Sequence, residues 1–212
     1  MVKIGNGVIK NGIFFLASIR VTASLSTAYL NSGFSLKIAW TMVFASEQEI
    51  PRPNNKRRRK SYYSGKKKKH TIKTQYMVNS EGTILHKTGQ DRGSKHDYDV
   101  YKNNHPITPP QVENVLDLGY LGVQNDFPTL KSVLPFRKKR KKGELSNEEK
   151  KHNRRHSKLR VIIEHTVSRI KKYGIMGARF RNKLGRYDHA SDIASGLVNF
   201  RIMMRTNGGM LL

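Results

Sequence analysis

Residues 146–173, SNEEKKHNRRHSKLRVIIEHTVSRIKKY, decide how the rest of the chain is read. Ser146 followed by Glu149 is a capping box, and Glu148 and Glu149 place negative charge where a helix dipole favours it. Leu159, Ile162, Ile163, Val167 and Ile170 recur at spacings of three and four, which predicts one buried stripe on a helix running to about Tyr173. A second helix is predicted downstream over roughly 187–204. Its apolar positions Ile193, Leu197, Val198, Phe200 and Ile202 suit packing on a sheet. Upstream the pattern changes to strands. Ile38–Ala45 is largely apolar and holds the only tryptophan. His70–Val78 and Thr83–Thr88 flank the turn Asn79-Ser80-Glu81-Gly82, a β-hairpin signal. Val115–Leu118 reads as a short strand entering a Gly119 turn, with a helix start expected over Pro109–Asn114. Strands first, then a strand and helices, predict an α/β fold with a mixed sheet flanked by helices.

The chain has 212 residues, 41 Lys+Arg against 15 Asp+Glu, a net charge of +26 and no cysteine. That length can bury a core. The lack of cysteine excludes a disulfide scaffold, thiolate zinc sites and thiol nucleophiles. So large a positive excess costs self-repulsion and is easiest to understand beside a polyanion, so nucleic acid is the expected partner. Composition alone also leaves a basic RNA- or ribosome-associated protein open. The charge is uneven: residues 51–212 carry +24 of it. Lys56–Lys60, Lys66–Lys69 and Arg137–Lys142 are too basic to bury. Each could be a solvated loop, whereas several around one core suit phosphate neutralisation. The apolar run Ile13–Ala17 is shorter than a membrane span and is ended by Arg20, so a cytoplasmic protein without a membrane partner is expected.

With few acids present, two stand out by context. Asp117 follows an apolar strand and precedes a glycine turn, where α/β sheets present ligands. Glu164 lies within the apolar stretch of the long helix, and Arg160, Glu164 and Lys171 fall on one face of it. Taken alone, a structural i,i+4 ion pair is a better account of such a helix than a functional site.

In order along the chain stand YYSGKKKKHTIKTQ (62–75), GSKHD (93–97), DLGYLG (117–122), the Arg160/Glu164/Lys171 helix and GLVNFR (196–201). This series resembles the DDE transposases of bacterial and archaeal insertion sequences and their Harbinger-type eukaryotic relatives, from about Ile38 to Met204. The resemblance implies a ribonuclease H-like fold that cuts and joins DNA at transposon ends with a divalent metal, Mg2+ or Mn2+. It also implies association with the nucleoid; a homodimer is left open. On that resemblance Asp117 is the second catalytic aspartate and Glu164 the catalytic glutamate, both metal ligands, with Asp97 a rival for the second position. Arg160 and Lys171 match the family's flanking Arg and Lys and would meet DNA, as would Lys66, Lys67, Lys68 and Lys69. The tyrosine usual three residues before that arginine is Ser157 here.

One departure outweighs the matches. The family's first aspartate closes the first strand, and in this chain its place falls on Phe44, followed by Ala45-Ser46-Glu47-Gln48-Glu49-Ile50-Pro51-Arg52-Pro53. A phenyl ring cannot bind a metal, so impaired cleavage is expected. Glu47 is the nearest substitute, but a shift of three residues changes where a strand side chain points. A non-catalytic, basic nucleic-acid-binding remnant is the alternative. The expected division is an atypical apolar segment 1–43 that does not match the family, a catalytic domain 44–205 and a tail 206–212. The change of composition near Phe44 is expected to mark a foreign or frame-disrupted junction in a truncated reading frame.

Overall fold

A computed structural model of the chain describes residues 39–104, 106, 108–138 and 144–207. Residues 1–38, most of the atypical first segment, lie outside the described residues. So do residues 208–212 of the tail and the part of the Arg137–Lys142 run beyond Lys138.

The centre of the molecule is a mixed sheet. β1 (Trp40–Glu49) pairs antiparallel with β3 (Lys69–Val78) and parallel with β6 (Glu113–Val115), which pairs parallel with β7 (Ser132–Val133). On its other side β3 takes three short antiparallel partners: β2 (Tyr63–Ser64), β4 (Ile84–Lys87) and β5 (Asp91–Arg92). The β3–β4 turn is the one expected. Gly82 sits there at φ +80°, in the left-handed region, and a Cβ would come 2.7 Å from the Thr166 hydroxyl. Residues 109–114, expected to start a helix, instead lead into β6. Their backbone is claimed by parallel pairing with the start of β1, from Trp40↔Glu113 to Met42↔Val115.

Alternation along β1 divides the core. Met42 and Phe44 face one layer, built from α4 (Asn147–Lys171), α5 (Gly174–Gly177) and α6 (Tyr187–Asn207), where they join Ile170, Met176 and Val198. Val43 faces the other with Met77, Leu116 and Tyr120, covered by Tyr101 of α2 (Asp97–Asn104) and Val123 of α3 (Val123–Asp126). This is the mixed sheet flanked by helices of a ribonuclease H-like fold. The capping box of α4 forms as expected, the Ser146 side chain accepting from Glu149 N–H and the Glu149 carboxylate accepting from Ser146 N–H. The basic stretch 56–62, expected as a loop or edge, is helix α1 (Lys56–Tyr62). It buries no residue and is started by the Asn55 side chain, which accepts from the backbone N–H groups of Arg57 and Arg58.

Candidate active site

Parallel register brings the site together. β1 and β6 align Met42 with Val115. Asp117 lies two residues past the end of β6, as Phe44 lies two residues past Met42 in β1, so the same register carried on would set the two side by side. Asp117 has extended backbone (φ −82°, ψ 169°) and caps the short 3-10 turn Leu118–Tyr120. Its Oδ1 accepts from Leu118 N–H at 2.8 Å. Its Oδ2 lies 3.8 Å from Arg160 Nη1.

Helix α4 crosses this strand end in successive turns. His156, buried, has its Nε2 2.9 Å from the Leu116 carbonyl oxygen, and Arg160 meets Asp117 four residues later. Glu164 follows at the next turn, about 6 Å further along the axis. It is exposed, and among the described residues its carboxylate makes no hydrogen bond or ion pair. Val167 and Ile170 then enter the core beside Phe44. His156 was not singled out from sequence. Its position among cations gave no signal, and only the fold shows it fastening α4 to the end of β6. Burial lowers its pKa, while the Leu116 hydrogen bond and the Asp117 charge raise it.

Phe44, expected to stand where a carboxylate would, is a core residue. It is 8% exposed and stacks on Tyr76 with ring centroids 5.4 Å apart. Burial raises the Tyr76 pKa well above its ordinary value, with Tyr187 adding to the shift. The surroundings of Phe44 are therefore apolar and aromatic.

The two rival acids are placed elsewhere. Glu47 pairs laterally with Lys73 and lies an odd number of residues from Phe44, so its side chain leaves the opposite face of β1. There Thr71 Oγ1 donates to Glu47 Oε2 at 2.8 Å, and Lys73 Nζ lies 3.8 Å from Glu47 Oε1 and 2.7 Å from Asp97 Oδ1. The Lys73 side chain is 6% exposed. An ammonium buried between two carboxylates needs both of them. Glu47 and Asp97 are thus already matched to an internal cation, an arrangement that depends on strand register and left no local mark in the sequence.

The basic residues form a rim. Lys66, Lys67 and Lys68 are exposed on the β2–β3 turn, where Lys68 takes a positive φ of 55°. Lys69 differs from them, its Nζ 2.7 Å from Glu49 Oε2, and Arg179 donates to the same carboxylate. Partial desolvation lowers the Lys171 pKa, the nearby Lys67 ammonium lowers it further, and Glu47 opposes both. The Lys66–Lys69 turn and the end of α4 are therefore within electrostatic reach of each other.

Among the described residues no group of three or more His, Asp or Glu side chains could hold a metal ion. Two-metal phosphoryl chemistry uses ions about 3.5–4 Å apart, clamped between shared ligands. Here the donor set is one carboxylate committed to a cap and an arginine, one free glutamate and a phenyl ring. It does not fit such a centre.

Residues 44–199 match a family model described as DDE superfamily endonuclease. Over 160 residues the chain is 28% identical to the probable transposase for insertion sequence element IS702 of Microchaete diplosiphon, covering 76% of this chain and 56% of that protein. The chain therefore spans little more than half the length of this curated relative. No solved structure matches.

Proposed function

The chain belongs to the DDE superfamily endonucleases, and we propose that it is a transposase-type domain that binds DNA at transposon ends but is impaired in metal-dependent strand cleavage and transfer. The superfamily generally uses divalent metals. The observation that carries the proposal is the parallel register of β1 against β6, whose last pair, Met42↔Val115, supports a reading in which Phe44 and Asp117, two residues on in each segment, share one end of the sheet. In the proposed reading Phe44, Asp117 and Glu164 occupy the three positions of the family's acidic triad, and only two of them can act as ligands.

The remaining residues keep a coherent role in binding. Arg160 neutralises Asp117 when no phosphate is present and is free to turn to a phosphate oxygen when one arrives. Lys171 and the Lys66–Lys68 turn supply further positive charge at the other end of α4. Such contacts hold a nucleic-acid backbone without reading its sequence. The stacking of Phe44 on Tyr76 favours the second reading, a non-catalytic DNA-binding remnant, because it supports a site repacked as core rather than left as a gap.

Nicking of supercoiled plasmid DNA in Mg2+ or Mn2+, with Mn2+ binding followed by calorimetry, tests the proposal. The unmodified protein is expected to bind DNA, take up no Mn2+ at this site and leave the plasmid intact. Phe44→Asp is expected to gain Mn2+ binding and nicking, and to lose both again when combined with Glu164→Gln. Metal-dependent nicking by the unmodified protein that Glu164→Gln abolishes would refute the impairment. A Phe44→Asp protein that folds, as judged by circular dichroism, yet gains no metal binding would favour the non-catalytic remnant.

A further inference from the structure

The stretch from α1 into β3 carries more than charge. From Arg52 to Lys73 stand 11 Lys/Arg and no acid, and set among them are two adjacent tyrosines that the fold places differently. Tyr62, the last residue of α1, is half-buried and packs against the core. Tyr63, the first residue of β2, turns the other way and is 42% exposed. Its antiparallel partner is His70, and the two rings pack edge to face with centroids 5.6 Å apart and planes at 69°.

Both flanks of the Tyr63 ring are cationic. Tyr63 is the C-cap of α1, whose Lys56, Arg57, Arg58 and Lys60 are exposed. On the other side the chain turns through Lys66, Lys67 and Lys68, exposed as well. That turn is held firmly for so charged a segment. The carbonyl oxygen of buried Ser64 accepts from Lys68 N–H at 2.8 Å, and its hydroxyl accepts from Lys67 N–H at 3.2 Å. Lys68 takes the one positive φ of a non-glycine residue among the described residues, 55°. Holding like charges together in a left-handed turn costs energy, and such strain concentrates where a ligand repays it.

The cations answer to phosphates, and the ring answers to a base with an open face. In a duplex each base face is covered by its neighbours in the stack, so the ring gains a partner only where a strand is unpaired. A positively charged track with an aromatic side chain set into it is a recurring form of single-strand recognition, tolerant of sequence because every base has a π-face. We propose that Tyr63, steadied by His70, is a stacking platform for an unpaired base of DNA, with the phosphates on either side of that base held by α1 and by Lys66–Lys68. This rests on the reading of DNA as the partner, and adds that this end of the molecule prefers an opened strand to a closed duplex.

The test uses the full chain and a short thymidine strand carrying one 2-aminopurine, whose fluorescence falls on stacking. The unmodified protein is expected to quench the single strand and to leave the same base unchanged in a fully paired duplex. Tyr63→Ala should abolish the quenching and weaken single-strand binding about tenfold, with the salt slope unaltered because no phosphate contact is lost. Tyr63→Phe keeps the ring face and should restore both. Duplex binding should be alike in all three proteins. Tyr63 is exposed, so an unchanged thermal melt of Tyr63→Ala separates loss of stacking from loss of fold. Quenching that survives Tyr63→Ala, equal weakening of single-strand and duplex binding, or a loss that Tyr63→Phe does not restore would each overturn the proposal while leaving DNA as the partner. Tighter binding and stronger quenching on RNA of the same sequence would assign the platform to RNA and overturn it too. A protein that binds neither strand nor duplex would remove DNA as the partner, and the platform with it.

Discussion

Helices α4 and α6 pack on the same face of the same sheet and feed one core through Ile170 and Val198, yet their outer surfaces are opposites. Outside its buried stripe α4 exposes Lys151, Arg154, Arg155, Lys158 and Arg160. Outside its own, α6 exposes the apolar residues Ile193, Leu197, Phe200 and Met204. Burial explains the inner faces of both helices and says nothing about the outer ones. The outer face of α4 suits the polyanion proposed above, whereas the apolar stripe of α6 offers it no charge. Helices that share a core can thus differ in what their surfaces are able to bind.

The largest effect should therefore appear in DNA binding. If six of the cations on α4 and the Lys66–Lys68 turn neutralise phosphates, affinity is expected to fall about 1,000-fold between 50 and 200 mM salt, a slope near −0.9 per phosphate on logarithmic axes. Changing Lys66, Lys67 and Lys68 together to alanine should flatten that slope by about three phosphates' worth, read from binding isotherms on duplex DNA at several salt concentrations. A slope the triple substitution leaves unchanged would remove the turn from the interface and confine binding to α4.

A second prediction concerns the strand beneath α6. The Asn199 amide of α6 is bonded to both backbone groups of Ile84 in β4, and His86 follows in that strand. Burial, with the Lys87 charge second, lowers the His86 pKa from 6.5 to about 4. A histidine with a depressed folded pKa takes up its proton more readily when unfolded. Its contribution is therefore complete above pH 6.5 and is lost as pH falls from 6.5 towards 4, by up to about 3 kcal/mol. Urea unfolding at pH 7 and pH 5 should show about 2 kcal/mol of that loss, and His86→Gln should flatten it. An unchanged profile in His86→Gln would assign the acid sensitivity to other groups.

Much of this architecture was legible beforehand, for local reasons. The α4 capping box, the turn at Gly82 and the turn at Gly119 all lie within a few residues of the signals that announce them, although the strand expected over Val115–Leu118 runs over Glu113–Val115. What escaped was non-local or exposed. Helix α1 buries nothing, so it has no apolar period to read, and its one start signal is the Asn55 side chain. Residues 109–114 became the approach to a strand because β1, some seventy residues earlier, claims their backbone. The Lys73–Glu47–Asp97 cluster needed the β1–β3 register before its three charges could be seen to meet. The order of motifs drew attention to Phe44. Its stacking on Tyr76 was not legible, because it depends on that same register.

The smallest expected effect bears most directly on the difference between the two sides of α6. Ile202 is 8% exposed and Leu197 is 43% exposed. Ile202→Ala should destabilise by about 2–5 kcal/mol and Leu197→Ala by no more than about 0.5 kcal/mol. Urea unfolding of the two variants reads the contrast directly. The inner side loses core contacts and leaves a cavity, whereas the outer side loses only contacts with solvent. Equal losses in the two variants would mean that Leu197 packs in the folded chain as Ile202 does, and that the two sides of α6 are not distinguished by burial.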